Sequence, residues 1–165
     1  MSINEILEKL YSSFQVYYNI KQENIDPPFA AMAEFHTHDE QYFLVKRAVI
    51  SEAESCEYVY FAVEECLDSE KLLCLDEAAW SSGMKKVKPH KNHRNTDITL
   101  IIVAKEITED AFTKASKLRH YQSYHLGFQG WSNYRLVAIE QSSGRAAYNR
   151  MGKSLKKLVG NILND

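Results

Sequence analysis

Apolar side chains open the chain at helical spacing: Ile3, Ile6, Leu7, Leu10, Phe14 and Tyr17 fall on one face. Ser2 and Glu5, three residues apart, form a capping box that satisfies free amides at a helix start. The pattern predicts a helix over 2–18, packed on a sheet and ended before Asp26-Pro27-Pro28, which cannot continue it. Three runs rich in tyrosine, phenylalanine and β-branched residues follow: Phe29 to His36, Gln41 to Ile50, and Glu57 to Val63. Their short links, His38 to Glu40 and Ser51 to Ser55, predict an antiparallel meander. Asp68 or Ser69 then starts a helix through Leu72, Leu73, Leu75, Ala79 and Trp80, with Gly83 as its expected terminator.

Ile98 to Val103 is the most apolar run and reads as a buried strand. Thr108 caps a helix carrying Ala111, Phe112, Ala115, Leu118 and Tyr121, expected to reach nearly to Gly127. A strand over Tyr134 to Ile139 completes a strand–helix–strand unit, whose strands should be parallel. The last helix, Met151 to Leu163, places Met151, Leu155, Leu158, Val159 and Ile162 on one face. The order α-β-β-β-α-β-α-β-α predicts an α+β fold with one mixed sheet. A length of 165 residues without repeat or linker predicts a single domain over 1–165.

Charge is unevenly spread although the net charge is only −2. From Glu52 to Glu77 nine acids face the single base Lys71. Lys85, Lys86, Lys88, Lys91 and Arg94 form one basic run, and Arg145, Arg150, Lys153, Lys156 and Lys157 another. If the two meet in space they make a cationic patch; two separate solvated faces would give the same counts. Cys56, Cys66 and Cys74 show no C-x-x-C spacing, so neither a disulfide framework nor a cysteine zinc knuckle is indicated. No signal segment or bilayer-length apolar run is visible, so a cytoplasmic address without a membrane partner is expected.

Two segments carry the most suggestive chemistry. Glu34, His36 and His38 alternate along a strand, so they would share a face and suit zinc, iron or manganese. The flanking residues fit none of the H-x-H hydrolase or cupin patterns, because Asp39-Glu40, Lys46 and Tyr42-Phe43 stand where those need other residues. The order of elements resembles restriction-endonuclease-like nucleases, but the chain has no E-x-K, Q-x-K or D-x-K. His90 and His93, with Asn95 and Asp97, would supply a base, an orienting carboxylate and neighbouring phosphate-binding cations; the alternative is a loop with Asp97 capping a turn. His120 and His125 read as partners of a helix C-terminal dipole. Glu140 to Arg145 reads as a hairpin bend or an anion-holding turn, and Gly127 to Trp131 as an aromatic plug. No G-x-S-x-G, Walker or G-x-G-x-x-G motif occurs.

Three pieces stand together in this chain: Lys88-Pro89-His90 through Arg94-Asn95-Thr96 before an apolar strand, Gly130-Trp131-Ser132 before Tyr134-Arg135-Leu136-Val137, and Asn149-Arg150-Met151-Gly152-Lys153 opening the last helix. On these pieces the chain resembles small intracellular bacterial proteins grouped as a domain of unknown function. The resemblance implies a class and carries no activity.

The leading expectation is a non-enzymatic module that binds an anionic ligand or protein partner, nucleic acid included, without a cofactor. Its site would comprise Lys85, Lys86, Lys88, His90, Lys91, His93, Arg94, Trp131, Arg150 and Lys153, with Trp131 or Tyr148 as the stacking ring. The alternative is a hydrolase using a divalent metal on Glu34, His36 and His38, helped by His93 or Asp97. A purely structural or oligomer-forming domain is the third reading.

Overall fold

The computed structural model describes residues 1–37 and 53–164. Helix α1 spans Ile3–Gln15, and its capping box forms as expected. Strands β1 (Asn19–Lys21), β2 (Ala31–His36) and β3 (Glu54–Leu67) precede helix α2 (Ser69–Lys86), which Asp68 caps. Strand β4 (His93–Ile107) leads to helix α3 (Glu109–Ala115), strand β5 (Tyr121–Ser123) and strand β6 (Trp131–Glu140). Strand β7 (Ala146–Tyr148), a 3-10 turn at Gly152–Leu155 and helix α4 (Lys156–Asn164) complete the chain.

The seven strands among the described residues form one mixed sheet in the order β1-β2-β3-β4-β6-β5, with β7 also on β6. β3, β4 and β6 are parallel, and the pairs at β1, β2, β5 and β7 are antiparallel. The strand–helix–strand unit expected around α3 is present, and a second one joins β3, α2 and β4. Helices cover both faces, which is why the central strands read as continuous apolar runs instead of alternating ones. Ile98, Leu100 and Ile102 pack with Leu72, Leu75, Ala79, Ala111 and Ala115 from α2 and α3. Ile101 and Val103 point the other way, toward Ile6, Leu10 and Phe14 of α1 and Val159 and Ile162 of α4. Tyr58, Tyr60 and Tyr134 are buried in the core, so much of the tyrosine supply serves packing.

Four expectations change. Ala31–His36 pairs directly with Cys56–Phe61, so these two strands are neighbours in the sheet, and the strand expected over Gln41 to Ile50 lies outside the described residues. Gly83 does not end α2 but sits buried inside it, because a Cβ there would lie 2.6 Å from the Ile98 side chain. The helix from Glu109 stops at Ala115, and Tyr121 belongs to the edge strand β5. The helical pattern at 151–163 begins as a 3-10 turn, since the Asn149 side chain already binds the Gly152 amide.

At the amino-terminal ends of the parallel strands, on the α1 face, Arg135 bridges two acids. It donates to Glu57 at 3.2 Å and to Asp97, while the Tyr18 hydroxyl donates to Glu57 and Asn133 to Asp97. Asp97 therefore caps no turn; it holds β4 to β6 through charge.

Candidate functional site

β6 has a gap along its outer edge. β5 pairs with its first three residues and β7 with Val137 to Ile139, leaving Tyr134 and Leu136 between them without a strand partner. The Asn149 side chain fills that gap. Its Nδ2 donates to the Tyr134 and Leu118 carbonyls, both at 3.1 Å, and its Oδ1 accepts from the Leu136 amide at 2.9 Å and the Gly152 amide at 2.7 Å. Gly152 can sit here because it lacks a Cβ, which would stand 2.3 Å from the Leu136 carbonyl oxygen.

Beside this plug opens a pocket of about 230 Å³. Arg119, His120 and Tyr121 come from the segment entering β5; Asn133 and Tyr134 come from β6; Arg150 and Met151 follow the plug. His120 Nε2 lies 2.7 Å from Asp76 Oδ2, a buried carboxylate on α2. Trp80 stacks on the imidazole at 5.0 Å, and Tyr134 meets it edge-on at 4.8 Å. The ring is thus held on three sides, with Nδ1 as its remaining polar atom. Behind it, Asp76 Oδ1 and the Tyr134 hydroxyl are buried, without a partner at ordinary hydrogen-bond geometry but close enough for the carboxylate to act on the phenol. Burial, followed by the charge of Asp76, pushes the Tyr134 phenol well above its usual range, so it stays a proton donor. The lining carries two arginines and no acid, and among the described residues neither Arg119 nor Arg150 has an ion-pair partner.

The two basic runs do not share this pocket: Arg150 lines it, and no residue of Lys85 to Arg94 does. Lys85, Lys88, Lys91 and Arg94 are exposed, at the carboxyl end of α2, in the loop after it and at the start of β4. Lys86 is engaged with Glu34 at 3.3 Å and lies over the Tyr58 ring. His90 Nε2 contacts Glu54 at 2.8 Å. His93 is buried: its Nδ1 donates to the Gln129 carbonyl at 2.6 Å, which leaves Nε2 to accept from the Thr96 hydroxyl at 2.9 Å. It clamps the loop between β5 and β6 to the start of β4. Trp131 is half-buried at the start of β6, opposite Asn95; Lys153 is exposed in the 3-10 turn; Tyr148 packs under α1 and α4.

Glu34 and His36 share a face of β2, as strand alternation requires, but each has other partners. Glu34 pairs with Lys21 at 3.1 Å and with Lys86, and His36 Nδ1 is 3.2 Å from Cys56 Sγ. Burial would raise the Glu34 carboxyl, yet the two lysines hold it below the ordinary range. His38 lies outside the described residues, among which no group of three or more potential metal ligands occurs.

The turn after β6 is a hairpin bend closed by its own acid. Glu140 accepts from Ser143, from the Ile107 amide at 2.8 Å and from Arg145 at 3.1 Å, and Arg145 also reaches Glu109. Burial would raise Glu140, but these donors outweigh it and hold its carboxyl low. A carboxyl depressed in the folded chain adds stability above its unfolded pKa and loses it as pH falls through the folded value. Glu140→Gln is therefore expected to be less stable than the parent at neutral pH, with the gap closing in acid. Urea denaturation at both conditions measures this, and a gap of equal size in acid would contradict it.

Sequence reasoning missed Asp76, Arg119, His120 and Tyr134 as one group. His120 was expected at a helix dipole, but α3 ends at Ala115 and the imidazole pairs with Asp76 instead. No local spacing could have signalled it, because the four residues come from three separate stretches of chain.

Fold and site together define a mixed α+β domain with a small cation-lined pocket at the sheet edge. Among the described residues no helix is long and apolar enough to cross a membrane. The chain belongs to the family described as a domain of unknown function, DUF8052, whose model matches residues 2–161. No curated protein and no solved structure matches it.

Proposed function

We propose that this domain binds a small phosphate- or carboxylate-bearing ligand in the pocket beside Asn149. The observation that carries this reading is that Arg119 and Arg150, both without an acid partner among the described residues, line one pocket whose lining holds no acid. A guanidinium presents its donors as a planar fork that fits a carboxylate or phosphate edge, and two forks suit a multiply charged anion. His120, oriented by Asp76, adds a further polar group at the same place. The basic run at Lys85 to Arg94 is not needed for this capture.

Isothermal titration with inorganic phosphate tests the reading. Binding is expected in the parent and at least about tenfold weaker in Arg150→Ala, since a charge-assisted hydrogen bond contributes about 1.5–3 kcal/mol. Arg150 is exposed, so the variant should keep its fold. The absence of phosphate binding, or equal binding in Arg150→Ala, would remove the proposal.

A further inference from the structure

The loop between β5 and β6 holds the two most exposed large apolar side chains among the described residues, Leu126 at 95% and Phe128 at 84%. Its backbone is unusual as well. His125 and Leu126 take positive φ values of 48° and 54°, a region that residues with a Cβ seldom occupy and that costs conformational energy. The base of the loop is fixed. His93 donates to the Gln129 carbonyl, the Tyr124 hydroxyl bonds Ser132 at 2.7 Å, and Gly130 lies so close to the chain at Arg94 that a Cβ would stand 2.1 Å from the Arg94 oxygen. Two apolar prongs are therefore held into solvent on a firm base. That base packs against the segment carrying Lys85, Lys88, Lys91 and Arg94, exposed cations that have no ion-pair partner among the described residues.

We propose that this loop cluster docks on an anionic phospholipid surface, with Leu126 and Phe128 entering the headgroup boundary and the four cations facing lipid phosphates and carboxylates. The contact is peripheral and needs no membrane-spanning segment. Interfacial binding of this kind takes two signals, buried apolar area and electrostatic attraction, and both are present in one loop cluster. A bilayer suits the shape because prongs that stand 84–95% exposed are convex and require an occupant without a matching rigid pocket. This inference does not rest on the anion pocket, and phosphate binding there is measured separately.

The test is co-sedimentation of the full chain with phosphatidylcholine vesicles containing phosphatidylserine, at low and high salt. The parent should pellet with these vesicles at low salt, release at high salt, and stay in solution with pure phosphatidylcholine. Leu126→Ser with Phe128→Ser should lower partitioning at least about a hundredfold, the low end expected from losing two buried apolar side chains. Lys88→Glu with Arg94→Glu should also abolish binding. The prong positions are exposed, so their thermal midpoint should be unchanged. Phe128→Trp supplies a readout in a protein that still carries a prong: its emission should shift to the blue when the vesicles are added. No sedimentation with phosphatidylserine vesicles at low salt would overturn the proposal. Undiminished binding of the double serine variant, or equal capture by an acidic polypeptide, would assign the surface to an acidic protein instead and also overturn it.

Discussion

Replacing Asn149 with aspartate is expected to destabilise the protein by about 3–5 kcal/mol, the range for an uncompensated buried charge. Asn149 is 1% exposed and satisfies four backbone groups at once. Its oxygen accepts from the Leu136 and Gly152 amides, and its nitrogen donates to the Leu118 and Tyr134 carbonyls. Aspartate keeps the shape and the acceptor but turns both donors into a second oxygen facing two carbonyl oxygens. Repulsion and desolvation then act on the same atom. The effect should shrink as pH falls, because a protonated carboxyl regains one donor and sheds its charge. Urea denaturation near neutrality and in mild acid measures both. A loss under about 1 kcal/mol, the scale of one ordinary hydrogen bond, would mean that the plug at the β6 edge is not structural. Because the pocket is built beside this plug, this variant should lose phosphate binding together with stability, whereas Arg150→Ala should lose binding alone.

Arg135→Met should be comparably costly, again about 3–5 kcal/mol. Arg135 is the shared partner of Glu57 and Asp97, and the Asp97 side chain is only 8% exposed. Methionine leaves two carboxylates facing one another with Tyr18 and Asn133 as their remaining donors. Burial and the bond to Glu57 already push the Tyr18 phenol well above its ordinary range, so it donates but cannot supply charge. If like-charge repulsion is the cause, adding Glu57→Gln and Asp97→Asn to Arg135→Met should recover more than half of the loss. Denaturation of the parent, the single variant and the triple variant isolates this coupling. A triple variant no more stable than the single one would assign the cost to lost packing of the Arg135 stem.

The local devices were legible in the chain. The Ser2–Glu5 capping box, the Asp68 and Thr108 caps and the apolar run at Ile98 to Val103 all form where the residue pattern put them. Each depends on neighbours within one turn of helix or one strand. Pairing was less legible. β3 is buried on both faces over Tyr58 to Ala62, and an uninterrupted apolar run cannot say whether its neighbour will be parallel or antiparallel. Gly83 misled for a related reason: a glycine is needed both at helix ends and where two elements nearly touch, and only the position of Ile98 distinguishes them. His93 looked like chemistry because it stood in a cationic segment, yet it is buried between the Gln129 carbonyl and Thr96.

By itself the sequence determined the class of fold, the existence of the main helices and strands, and the uneven spread of charge. Those follow from periodicity and local hydrogen bonding, which act over a few residues. The tertiary structure decided which strands pair, that Arg119, His120, Tyr134 and Arg150 line one pocket to which no residue of Lys85 to Arg94 contributes, and that Asp76 stands behind His120. The physical reason is sequence separation. Asp76 and His120 stand 44 positions apart and are joined by a single 2.7 Å contact, and nothing local to either residue encodes the β-strand pairing that brings them together.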